Sequence, residues 1–247
     1  MAAGKVRVGI GGWTYPPWRG VFYPDKLAQT KELEYASSRL GAIEINATFY
    51  GRQSPKSWQK WAAVAPEGFQ FAVKGSRYCV MKPKLAEASE GLSGFFGQGF
   101  AALGSKLGPI LWQFASRRKF DRDDIAGFID LLPAEVEGIR LRHAIEPRNE
   151  SFRDDKFFEL CRARNIAVVL EDSDEYPTIE ADTADFAYAR LQRTNEDVPT
   201  GYDDTALDAF AKRALEWQER GDAYIFMING AKVRAPAAAL ALQERLR

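Results

Sequence analysis

Eight short apolar runs, each separated from the next by a helix-like segment, constrain this 247-residue chain more than any other feature. They are Val6–Gly11, Ala42–Asn46, Phe69–Lys74, Ile110–Phe114, Ile139–Glu146, Ile166–Glu171, Phe186–Gln192 and Tyr224–Asn229. Runs of this length that are apolar on both faces fit strands buried under helices. The intervening segments carry helix start signals. Thr30 opens Lys31–Leu40, Ser54-Pro55 opens Lys56–Ala65, and Asp121 opens Arg122–Leu132. Ser151 with Asp154 caps Asp155–Arg164, Asp203 or Asp204 opens Thr205–Arg220, and Pro236 starts a final helix. The long segment Leu85–Leu107 is broken by glycines into helix, loop and helix. A strand–helix alternation repeated this often predicts a (β/α)8 TIM-type barrel, a single α/β domain over residues 1–247. The competitor is an open doubly wound sheet. Its phosphate fingerprint is missing, because Gly9-Ile10-Gly11-Gly12 runs into Trp13-Thr14-Tyr15-Pro16-Pro17, which cannot start a helix directly.

Charge is balanced at 34 basic and 34 acidic residues, so no global field draws nucleic acid or membrane. Anion binding must come from a local cluster. No stretch approaches 18 apolar residues, and the first residues carry no apolar targeting core. Cys79 and Cys161 form no framework or metal spacing, and we expect reduced thiols in a cytoplasmic protein. A single histidine, His143, argues against zinc and leaves magnesium or manganese as the metals a carboxylate site would take.

Barrels of this kind place function at the C-terminal ends of their strands, and polar groups gather there. Strand one ends at Trp13. Strand two places Glu44 and Asn46 on one face by its period of two, with Tyr50 beyond. Strand three ends in Lys74 and strand four carries Gln113. Strand five supplies His143, Glu146 and Arg148, strand six ends at Glu171-Asp172, strand seven carries Arg190 and Gln192, and strand eight yields Asn229 and Lys232. Each has a plainer alternative. His143 fits a core histidine as well as a site. Glu44 needs a partner such as Lys74 or an arginine, Glu146 and Arg148 fit a loop salt bridge, and Asp172 fits a solvated turn. Arg190, if it faces the barrel interior, requires a buried carboxylate or a ligand. The rings from Trp13 to Tyr23 suit packing of a long first loop.

Several motifs together resemble the YecE-like family, also known as domain of unknown function family seventy-two. They are Gly11-Gly12-Trp13-Thr14-Tyr15, Glu44-Ile45-Asn46-Ala47-Thr48-Phe49-Tyr50, Pro66-Glu67-Gly68-Phe69, Gly108-Pro109-Ile110-Leu111-Trp112-Gln113-Phe114, His143-Ala144-Ile145-Glu146 and Tyr188-Ala189-Arg190-Leu191. The resemblance runs the whole chain and implies a TIM-type barrel with a pocket at its C-terminal face, but no established activity. Three positions depart from the family pattern: Asn149 and Gln192 stand where it has histidines, and Ile228-Asn229 replaces paired asparagines.

The expectation is therefore an enzyme acting on an anionic, phosphate-bearing substrate by acid–base chemistry without a metal or other cofactor. Glu44, His143 and Glu146 would be catalytic; Trp13, Asn46, Tyr50, Lys74, Gln113, Arg148, Asp172, Arg190, Gln192 and Asn229 would bind. The alternatives are a magnesium or manganese enzyme, an isomerase or phosphodiesterase using Glu44, Glu146 and Asp172, and a non-catalytic nucleic-acid-binding protein.

Overall fold

The computed structural model describes residues 4–247. Eight parallel strands form the barrel: β1 (Val6–Gly11), β2 (Ala42–Ile45), β3 (Gln70–Lys74), β4 (Leu107–Gln113), β5 (His143–Glu146), β6, β7 (Phe186–Leu191) and β8 (Asp222–Met227). The sixth is split at Val169 into Ala167–Val168, which pairs with β5, and Leu170–Asp172, which pairs with β7. The Val169 N–H donates to Ile145 O at 2.9 Å, continuing the β5 ladder. Because the two outermost segments of the sheet are halves of one strand, the sheet closes on itself. The barrel expectation holds.

The expected run Ile139–Glu146 divides in two. Ile139–Arg140 forms a small antiparallel hairpin with Glu135–Val136, turned at Glu137 and Gly138, and only His143–Glu146 joins the barrel. Helices lie where their caps place them. Ser54 accepts from Ser57 N, Asp121 from Asp123 N and Asp124 N, Asp154 from Lys156 N, and Asp203 from Ala206 N. Two expected starts differ. The first helix, Glu32–Ser37, begins after a 3-10 turn with no side-chain cap from Thr30. Ser151 lies in its own 3-10 turn, where its hydroxyl accepts from Phe120 N.

The period of two decides what fills the barrel. Ala42, Ala72, Ala144 and Ala167 point inward from one side, opposite Phe186, Tyr188, Tyr224 and Phe226 from the other. Small side chains on four strands thus make room for rings on two, so the middle of the barrel is packed and not a channel. Outward-facing residues such as Ile10, Ile43, Val73, Trp112 and Ile145 meet the helices in a second, larger core. Trp18 and Tyr23 of the long first loop are buried in that core, as their packing role anticipated.

Charge closes both ends of the packed middle. At the N-terminal end, Asp222 receives Arg7 at 3.1 Å, Arg142 at 3.0 Å and the Lys5 N–H at 2.8 Å. Arg142 lies across the rings of Phe186 and Tyr224 and donates to the Tyr224 hydroxyl. The C-terminal end holds the cleft.

Candidate functional site

Above the aromatic layer a second polar layer spans the barrel. Tyr188 donates its hydroxyl to Glu44 Oε2 at 2.7 Å. Arg190, one pleat further along β7, grips Glu44 with two N–H groups, each at 3.1 Å, and reaches Glu146 Oε2 with the third at 2.6 Å. Arg148 continues the chain, bonding Glu146 Oε1 at 2.5 Å and Glu171 Oε1 at 2.9 Å, while its guanidinium lies 3.9 Å from the Tyr176 ring centre. Gln113 donates to both oxygens of Glu146, and Gln192 donates to Glu171. The order is Glu44, Arg190, Glu146, Arg148, Glu171: acid and base alternate across the floor.

This network explains the electrostatics. Burial alone would raise the Glu146 carboxyl, but Arg190, Arg148 and Lys74 outweigh it and hold it down near 2. Glu171 goes the other way: burial, and then the Glu146 charge beside it, push it up to about 8. Its second oxygen is buried without a hydrogen-bond partner. The alternation therefore ends in a carboxyl that favours its proton.

Over this floor lies a cavity of about 530 Å³. Trp13, Asn46, Tyr50, Lys74, Gln113, Arg148, Arg190, Gln192 and Asn229 all line it, as the strand-end argument expected. Lys232, beyond the end of strand eight, lines it too, and three polar residues join that no strand end indicates: Thr14, Glu175 and Tyr176. They come from loops, where no strand period signals direction.

Lys74 is held at the end of β3 by its own backbone: Thr48 Oγ1 donates to Lys74 O at 2.6 Å, and the next N–H, of Gly75, donates to Leu111 O at 2.7 Å. Among the described residues its amine makes no hydrogen bond or ion pair, and it lies 4.7 Å from the Phe49 ring centre. Burial, and then the neighbouring Arg190, lower it to about 8, although Glu44 and Glu146 pull the other way. Lys232 is likewise without a carboxylate partner among the described residues, lies over Tyr15 at 5.0 Å, and is lowered by burial.

Three expectations require correction. His143 faces away from the cleft. Arg142, Ala144 and Glu146 point inward, so His143 points out, accepting from Trp112 Nε1 at 3.1 Å and meeting Pro133 O at 2.8 Å. Burial pushes its imidazole down to about 4, which makes it a neutral core histidine. Asp172 also faces outward, taking the Tyr202 hydroxyl at 2.9 Å and Arg193 at 3.4 Å; the inward acid of β6 is Glu171. The expected trio of Glu44, Glu146 and Asp172 is therefore not assembled, since Arg190 also separates the two glutamates. No group of three or more metal-ligating side chains occurs among the described residues. Finally, Glu44 and Glu146 are wholly buried and saturated with donors, so neither meets a ligand in the cleft directly. Their place is under the guanidinium groups, which they fix.

Comparison with known proteins agrees with this architecture. Residues 7–247 match the family model described as "Protein of unknown function DUF72". A stretch of 69 residues is 36% identical to the UPF0759 protein YunF of Bacillus subtilis (strain 168); it spans 28% of this chain and 23% of that protein's length. A DUF72 family protein from Thermotoga maritima MSB8 superposes with a TM-score of 0.74 at 24% identity, covering 97% of each chain. One from Enterococcus faecalis V583 superposes with a TM-score of 0.75 at 16% identity, over 98% of this chain and 95% of that one. At those identities the solved structures speak to fold alone, whereas the family model covers nearly every residue. The chain is a member of the DUF72 family.

Proposed function

We propose that the cleft is the active site of an enzyme acting on a small anionic substrate, with Lys74 as its acid–base group. The observation that carries this is the charge count at the cleft. Two guanidinium groups, Arg190 and Arg148, are engaged by the buried carboxyl groups of Glu44, Glu146 and Glu171, the last pushed up by burial. Lys74 and Lys232 are left over, both partly desolvated and both facing the cavity. Two amines without carboxylate partners in one cavity favour an anion, because burial has removed part of the water that would otherwise offset their charge. The exposed Glu175 stands on the rim, outside that floor.

In this reading Lys232 and the open edge of Arg148 hold the anionic group. Asn46, Gln113, Gln192 and Asn229 supply neutral donors and acceptors, and Lys74, titrating near neutrality, takes or gives the proton. The buried carboxylates orient Arg190 and Arg148, replacing the direct role expected of Glu44 and Glu146. The chemistry so written draws only on the chain's own groups. We place it in the cytoplasm, where the buried thiols of Cys79 and Cys161 stay reduced; no helix among the described residues is long and apolar enough to cross a membrane.

The test is a melting-temperature panel of inorganic phosphate, sugar phosphates, nucleotides and small carboxylates. A ligand at 100 times its dissociation constant adds about 2.7 kcal/mol, roughly 5 to 10 °C for a domain of this size. We expect anions to raise the melting temperature and Lys232→Ala to abolish the rise. If no anion shifts it at low ionic strength, the reading fails. A second reading rests on Tyr50 and Tyr78, 66% and 61% exposed, with Arg77 against the Tyr78 ring. Stacking rings beside cations suit a single-stranded oligonucleotide. Affinity for oligothymidylate that falls steeply with salt would favour it.

A further inference from the structure

We infer that Lys74 is a covalent centre, whose amine forms an imine with a small carbonyl compound bearing an anionic group. This names the substrate class for the site proposed above and rests on that reading. Geometry separates Lys74 from an ordinary lysine. Lys106, by contrast, spends its amine on Ala62 O at 2.7 Å and Ala65 O at 2.6 Å, with Glu67 at 3.6 Å. Lys31 pairs with Glu34 at 2.7 Å on the surface. Lys74 has neither arrangement: its stem is fixed at a strand end, its head faces a cavity, and two guanidinium groups stand behind it. Those guanidinium groups cannot take its proton, nor accept a hydrogen bond from it. The nitrogen lone pair is thus available, which imine chemistry requires and a salt-bridged ammonium forbids.

The step balances within the site. The Nζ lone pair attacks the carbonyl carbon and an N–C bond forms, giving a carbinolamine. The C–O bond then breaks, and the carbonyl oxygen leaves as water with the two protons that the amine carried. The product is a C=N bond at Lys74. Its protonated form adds a positive charge beside Arg190 and Arg148, so it is stabilised only if the substrate carries a compensating anion. Lys232 lies at the same cleft to receive it. Carbonyl and anion must therefore belong to one molecule.

Pyridoxal 5′-phosphate, an anionic aldehyde, is a suitable probe. The full-length protein is treated with less than one equivalent at pH 8, reduced with borohydride, digested and mapped. At that pH half of the Lys74 amines are neutral, against about one in 250 for a lysine titrating near 10.4. We expect label at Lys74 to exceed that at any other lysine by at least ~10-fold and to fall on adding inorganic phosphate. Its rate should level off above about pH 8. In Lys74→Met, the preferred site should vanish while the melting temperature does not fall. Label spread over surface lysines, with Lys74 unremarkable, would overturn the inference. Should phosphate still raise the melting temperature in that case, the anion-binding enzyme stands and only the imine falls; no shift by any anion would remove both.

Discussion

The two ends of the barrel solve the same problem differently. Both must cap an aromatic interior with polar groups. The N-terminal end uses one carboxylate, Asp222, clasped by Arg7 and Arg142 and covered by rings. The C-terminal end uses a longer alternation that finishes in an orphaned Glu171 oxygen and an unpaired Lys74. At one end every charged side chain has an oppositely charged partner, although Arg7 Nη1 makes no hydrogen bond; at the other, among the described residues, a lysine amine has no carboxylate and a carboxylate oxygen has no donor. Unpaired, desolvated groups cost stability and are retained where something else uses them.

The strongest way to break this contrast is Arg190→Met. It strands the wholly buried Glu44 and leaves Glu146 with Arg148 as its one remaining ion-pair partner among the described residues, and removing one member of such a network costs about 3–5 kcal/mol. Arg142→Met at the other end, where the pair is partly open to water, should cost about 1 kcal/mol. Urea denaturation at pH 7 measures both. Equal losses would mean that the mouth network is looser than its geometry.

Next comes pH, where the ends should differ in sign. Although burial alone would raise it, the Lys5 N–H, Arg142 and Arg7 hold Asp222 below its ordinary value. A depressed carboxyl contributes stability that is present at neutral pH and lost on acidification. Glu171 is raised from 4.5 to about 8. The folded state then holds a proton that the unfolded chain has released, so its contribution to stability falls as pH climbs from 4.5 to 8. Glu171→Gln should remove that fall and gain about 1–2 kcal/mol at pH 8, after solvent relaxation is allowed for. Stability followed from pH 5 to 8 in both proteins checks it; parallel curves would refute the assignment.

A smaller effect has the opposite sign to ordinary truncation. Lys74→Met should stabilise the fold at pH 7 by about 1 kcal/mol, because a desolvated ammonium without a partner is removed. A loss comparable to that of Arg142→Met would show a hidden partner for the amine. The smallest effect is at the rim: Tyr50→Ser should change stability by less than about 0.5 kcal/mol, while weakening whatever stacks there.

Much of this was legible from residue pattern. The eight strands emerge from run length and spacing, and the inward direction of Glu44, Asn46 and Arg190 follows from parity. Parity also contained the two corrections. With Glu146 inward, a residue three positions earlier must face outward, which places His143 in the helix-facing core. With Ala167 and Val169 inward, Glu171 and not Asp172 joins the floor. What pattern could not show was saturation. Arg190 meets Glu44 across 146 positions and Glu146 across 44, and only barrel closure decides that these acids are consumed by one base. Lys74 was expected to bind; that its amine has no partner depends on the same closure.

That long-range pairing also orders events in time. During synthesis Glu44 and Glu146 emerge well before Arg190, and the second half of β6 precedes its strand partner, β7. A nascent chain ending near residue 185 would carry Glu44 without its guanidinium partner and a strand with a bare edge. Both disfavour stable closure and invite association. The ribosome must therefore deliver most of the chain before the barrel can shut. Nascent chains released just before and just after β7 should differ sharply in protease resistance, and Arg190 is the residue whose arrival marks the difference.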